Sequence, residues 1–90
     1  MNIDELFNRI ETRIKNKTKN SYTNKLLKSG PSKIAQKFGE ESTELLIDYL
    51  SGSKKRTISE TADVIYHLLI LLKSKKIKLT EIYRELEKRK

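Results

Sequence analysis

From Ala62 to Leu72 the chain is apolar around almost the whole circumference of a helix, broken only by Asp63 and His67. A helix of that kind is a buried helix and needs neighbours on all sides. Its longest apolar stretch, Val64 to Leu72, has nine residues, well short of the roughly 20 needed to cross a bilayer. The cover must therefore be protein. A chain of 90 residues predicts one domain, residues 1–90, with a thin core. There is no cysteine, so neither a disulfide nor a thiolate metal site can reinforce that core. Helix packing, a bound ion or a partner subunit has to do so.

Helical periodicity supplies the neighbours. Ile3, Leu6, Phe7, Ile10 and Ile14 predict a first amphipathic helix over Ile3–Lys15, followed by a polar loop from Asn16 to Asn20. Leu26 and Leu27 suggest a short helical turn after Ser21, Tyr22 and Thr23. Gly30-Pro31 opens a second principal helix reaching Leu50, since proline is well tolerated at a first helical position. Gly52 reads as a left-handed cap after it. The apolar helix then runs from Lys54 to Ser74. Thr80 is a candidate N-cap for a last helix reaching Arg89. Nothing reads as a strand, so the expected fold is all-α, a bundle of four main helices.

Acidic residues on two of these helices carry the chemical signal. Glu41, Glu44 and Asp48 fall within an arc of about 60° on the second principal helix, with Glu40 just outside. Ile34, Phe38, Leu45 and Tyr49 lie beside that arc on the face expected to be buried. Glu60, Asp63 and His67 share a similarly narrow arc on the apolar helix. An antiparallel hairpin about Gly52 brings the two sets level. Glu44 and Glu60 are each eight residues from Gly52, Glu41 and Asp63 eleven, Lys37 and His67 fifteen. Four carboxylates facing one another roughly 12 to 17 Å from the turn repel unless a cation sits among them. Oxygen ligands of this kind suit Mg²⁺, with Mn²⁺ as the alternative.

The pattern Glu40-Glu41-x-x-Glu44, fifteen residues, then Glu60-x-x-Asp63 resembles the metal-binding motif of the all-helical MazG-type nucleotide pyrophosphatases. Within that group the chain is similar to the phosphoribosyl-ATP pyrophosphatases of histidine biosynthesis. The similarity runs through Ser21-Tyr22-Thr23, Leu26-Leu27, Gly30, Lys33-Ile34, Gln36-Lys37 and Gly39-Glu40-Glu41. It resumes at Glu60-Thr61-Ala62-Asp63 and Tyr66-His67-Leu68-Leu69. Ser42-Thr43 departs from it, standing where that family has small apolar residues. The resemblance implies Mg²⁺-dependent hydrolysis of phosphoribosyl-ATP to phosphoribosyl-AMP and pyrophosphate. It implies Glu41, Glu44, Glu60 and Asp63 as metal ligands, with Glu40 either a further ligand or a group that orients water. Lys37 either holds a phosphate or pairs with the acids. Lys25 and Lys33 are further phosphate-binding candidates, and Ser21, Tyr22 and Thr23 are candidate substrate contacts by resemblance alone. A separate cyclohydrolase is expected for the next step.

Two other readings fit parts of the sequence. The same fold and metal motif would serve a house-cleaning NTP or dNTP pyrophosphatase, although the Ser-Tyr-Thr and Gly-Pro region favours the histidine-pathway substrate. A net charge of +8 would also suit a basic helical nucleic-acid-binding module. No helix carries a concentrated basic face, however, and the acidic stripe repels phosphate. The expectation is thus a protein without nucleic-acid or membrane partners. The charged N-terminus lacks the apolar centre of a signal peptide, so a soluble, cytoplasmic protein is expected. The remaining helices are too few to wrap the apolar one, which predicts a homodimer.

Overall fold

The computed structural model describes residues 1–19 and 21–90; Asn20, at the end of the expected loop, lies outside the described residues. The described residues form five helices in order: α1 (Ile3–Lys15), α2 (Tyr22–Lys28), α3 (Pro31–Ser51), α4 (Lys54–Ser74) and α5 (Leu79–Lys88). Among the described residues there is no strand. No helix among the described residues is long and apolar enough to cross a membrane. The expected turn near Leu26 is a full helix, α2.

Local chemistry sets most of the helix ends. Asn2, Ser21 and Ser53 each sit in extended backbone before α1, α2 and α4, and each side chain accepts a bond from a first-turn N–H. These bonds satisfy donors that a helix leaves unpaired. Gly30 precedes α3 with φ 94°, a left-handed conformation that glycine reaches without steric cost. It lets the chain reverse sharply between α2 and α3. At the last helix the cap falls at Lys78, two residues before the expected Thr80. Glu81 accepts a bond from the Lys78 N–H at 2.8 Å, which draws Leu79 into the first turn and buries it.

The turn between α3 and α4 has a different cause from the one expected. Gly52 has φ −96°, so no left-handed conformation calls for glycine there. Space does. A Cβ at Gly52 would lie 2.6 Å from Asp48 Oδ1 and 2.9 Å from Asp48 Cα. Asp48 is buried, and its backbone carbonyl accepts from the Gly52 N–H at 2.8 Å and from Thr57 Oγ1 at 3.2 Å. Its carboxylate accepts from Arg56 Nε at 3.0 Å. Asp48 thus ties the hairpin closed and is not free to extend the acidic stripe.

One apolar cluster joins Phe7 and Ile10 of α1, Leu26 of α2, Ile34 of α3, Leu69, Ile70 and Leu72 of α4, and Leu79 of α5. All of it lies toward the end of the hairpin away from Gly52. The turn end projects beyond this core, and one expectation fails there. Tyr49 is 73% exposed, together with Leu46, Ile47, Leu50 and Ile58. The apolar helix keeps Ala62 and Leu68 exposed, in line with the expectation that the remaining helices cannot wrap it. Tyr83 also stands outside the core and donates to Asp4 Oδ1 at 2.9 Å. Gly39 has open space where a Cβ would lie, so no close approach within the chain explains it.

Adding a methyl group at Gly52 forces it against Asp48 backbone. Overpacking of this kind costs about 1–3 kcal/mol. Gly52→Ala is therefore expected to lower unfolding stability by about that amount in a urea titration; an unchanged midpoint would show that the turn relaxes freely.

Candidate active site

The acid cluster sits where the covered and uncovered ends of the hairpin meet. Glu41 on α3 and Glu60 and Asp63 on α4 each offer a carboxylate oxygen, and these oxygens lie within 4.8 Å of one another. Glu60 and Glu41 are half-buried and Asp63 is exposed. Glu60 Oε2 is buried and has no hydrogen-bond partner among the described residues. Burial pushes the Glu60 pKa up, and the neighbouring charges of Glu44, Asp63 and Glu41 push it the same way. A buried acceptor without a donor is costly. This one belongs to a residue whose carboxylate lies in a group of oxygen atoms, which fits a hard divalent cation.

The other expected acids stand around this group. Glu44 borders a shallow depression with Glu60, Asp48 and Arg56. Glu40 turns away from the cluster. It accepts from Gln36 Nε2 at 3.3 Å and pairs with Lys37 Nζ at 3.7 Å. Lys37 also reaches Glu41 at 3.9 Å, so it links the cluster to what lies beyond. That is a pocket of about 370 Å³ lined by Tyr22, Lys25, Ser29, Lys33, Lys37 and Glu40.

The Ser-Tyr-Thr segment forms the wall between pocket and core. Ser21 caps α2. Tyr22 is part-exposed to the pocket, and its hydroxyl lies 2.8 Å from His67 Nε2. The other ring nitrogen, Nδ1, is 2.7 Å from the Asp63 carbonyl oxygen. A carbonyl only accepts, so Nδ1 carries the proton, and in the neutral ring Nε2 accepts from the Tyr22 hydroxyl. Thr23 is fully buried, and its hydroxyl bonds Tyr66. It stands behind the wall and does not face the pocket. Tyr66 also accepts from Arg13 at 3.4 Å. These contacts fix α2 against α4 within one turn of Asp63. His67, which shares the arc of Glu60 and Asp63 on the apolar helix, is buried. Its two partners were hidden, although its place four residues after Asp63 was the signal for one of them. Arg56 gave no sequence signal beyond its charge.

A carboxylate cluster flanked by lysines on an all-helical scaffold suits an enzyme that acts on a phosphorylated nucleotide. Comparison with known proteins places the chain within that class. The sequence model of the family described as phosphoribosyl-ATP pyrophosphohydrolase matches residues 3–90. The chain is 46% identical over 87 residues to the phosphoribosyl-ATP pyrophosphatase of Sulfurisphaera tokodaii, covering 97% of this chain and 93% of that one. It is 47% identical over 87 residues to the enzyme of the same name from Clostridium acetobutylicum, covering 97% and 79%. It is also 45% identical over 87 residues to the histidine biosynthesis bifunctional protein HisIE of Caldanaerobacter subterraneus, covering 97% of this chain and 42% of that longer protein. The chain belongs to the phosphoribosyl-ATP pyrophosphohydrolase family, and it is a hydrolase.

The strain at Glu60 has a measurable sign. With its folded pKa raised, Glu60 holds its proton more tightly when folded. Its contribution to stability is fully present below the ordinary glutamate value of 4.5 and is lost as pH rises through the raised one. Without divalent cations, Glu60→Gln is expected to melt higher than the parent protein at pH 7, with the gap closing as pH falls toward 4.5. A variant melting lower at pH 7 would contradict the repulsion.

Proposed function

We propose that the protein hydrolyses phosphoribosyl-ATP to phosphoribosyl-AMP and pyrophosphate in histidine biosynthesis, with Mg²⁺ or Mn²⁺ held by Glu41, Glu60 and Asp63 and completed by Glu44. The supporting observations are that carboxylate oxygens of Glu41, Glu60 and Asp63 lie within 4.8 Å of one another and that Glu60 Oε2 is buried without a hydrogen-bond partner among the described residues. A divalent cation bound there would neutralise polyphosphate charge and polarise the phosphoryl group toward water. The bond that breaks is the anhydride between the α and β phosphates, and the elements of water are added across it. Lys37, already beside Glu41, supplies a further positive charge to the polyphosphate. Glu40 lies outside the carboxylate group and would have to leave Gln36 and Lys37 to orient the attacking water. Tyr22, with Ser21 and Thr23 holding its helix in place, offers a wall for the rest of the nucleotide, and Lys25 and Lys33 offer further phosphate contacts.

The reading includes a homodimer. Leu46, Ile47, Tyr49, Leu50 and Ile58 are all exposed near the turn end, and apolar side chains grouped in this way mark an interaction surface. A second copy packing there under two-fold symmetry would cover it and would bring basic residues near the acid cluster. Light scattering is expected to give twice the chain mass of 10.5 kDa, and Leu50→Glu is expected to lower it. A stable parent monomer would remove the dimer from the proposal.

Pyrophosphate release tests the reaction. The parent protein is expected to turn over phosphoribosyl-ATP in preference to ordinary NTPs, and EDTA is expected to abolish the activity. Asp63→Asn and Glu44→Gln are each expected to cost on the order of 100-fold or more while the helical circular dichroism persists. Equal turnover of ATP would favour the house-cleaning alternative; normal turnover by either variant would remove that residue from the ligand set.

A further inference from the structure

The pocket beside the acid cluster is more basic than the reaction centre needs. Three lysines line it against one glutamate. Lys37 is occupied by Glu40 and Glu41, whereas Lys25 and Lys33 make no ion pair with any carboxylate among the described residues. They come from different helices. Lys25 lies on α2 and Lys33 on α3, and the reversal at Gly30 turns both toward one space with Ser29. On α3, Lys33 precedes Glu41 by eight residues, which sets it about 12 Å along the helix from the carboxylates.

The substrate of the proposed reaction has two anionic ends. One is the triphosphate, which the carboxylate centre takes with its cation. The other is a phosphate monoester on the second ribose, separated from the triphosphate by two pentoses and the base. It cannot share the carboxylate centre and needs positive charge some way off. ATP lacks this group.

We propose that this pocket binds the 5′-phosphate of the phosphoribosyl arm, and that Lys25 and Lys33 determine specificity for the doubly phosphorylated nucleotide. The inference rests on the substrate reading above and adds a subsite to it. Tyr22 lies between the two ends. Its hydroxyl is held by His67, which leaves the part-exposed ring as an apolar surface against which the intervening base or pentose can pack. The volume of about 370 Å³ falls within the range of small-molecule sites. A charge-assisted bond to phosphate is worth more than a neutral one, and two lysines without competing carboxylates have that interaction to give.

Comparing phosphoribosyl-ATP with ribosyl-ATP, the same molecule lacking the 5′-phosphate, isolates the subsite. The readout is the ratio of kcat/KM for the two substrates in parent, Lys33→Ala, Lys25→Ala and Lys33→Arg proteins. The parent is expected to prefer the phosphorylated form at least tenfold. Each alanine variant is expected to lose most of that preference through a raised KM, and Lys33→Arg to keep it. Alanine variants that retain the parent ratio overturn the proposal. So does an equal loss on both substrates, which would assign the lysines to the shared triphosphate. A parent protein that cleaves neither substrate but cleaves ordinary NTPs would overturn the substrate reading itself, and this subsite with it.

Discussion

Mutual repulsion among Glu41, Glu60 and Asp63 is the constraint around which the molecule is arranged. Three carboxylate oxygens within 4.8 Å would separate if their helices were free to slide or splay. They are not free. The α3–α4 hairpin is closed at one end by Asp48, which accepts from Gly52, Thr57 and Arg56. At the other end the apolar cluster of α1, α2 and α5 clamps Ile34 against Leu69, Ile70 and Leu72. The acids lie between these two fastenings. Folding energy gained elsewhere thus holds an unfavourable charge arrangement in place, a common condition of functional sites.

Rigidity near the cluster comes from small polar contacts. Tyr22, His67 and the Asp63 carbonyl form one continuous chain of hydrogen bonds, while Thr23, Tyr66 and Arg13 form a second beside it. The first links α4 to α2, and the second links α4 to both α2 and α1. A seven-residue helix such as α2 is marginal alone, and these bonds with Leu26 fix its position. The pocket wall and the acid cluster are consequently parts of one fastened unit.

Much of this was legible in the sequence because it follows from periodicity. Helix boundaries came from apolar spacing and capping residues. The meeting of Glu41 with Asp63 follows from equal distance to Gly52, which any antiparallel hairpin obeys. Side-chain direction and burial were less legible. Glu40 and Glu41 are adjacent in sequence, yet only Glu41 joins the cluster, because Gln36 and Lys37 draw Glu40 aside. Asp48 shares the acidic stripe by angle but is taken by Arg56 across the turn. Gly52 is required by contact with Asp48 and not by its own backbone angle, a distinction no single position reveals. Exposure of Tyr49 and Leu50 was hidden because hydrophobicity alone does not say whether the cover lies within the chain.

The strained carboxylate group is proposed as a cation site. Calorimetric titration of Mn²⁺ into the cation-free protein and into Asp63→Asn tests it without any nucleotide. Saturable binding to the parent protein is expected, accompanied by proton release as Glu60, whose pKa is raised, gives up its proton, with binding at least tenfold weaker in the variant. Absence of saturable binding, or equal affinity in the two proteins, would contradict it.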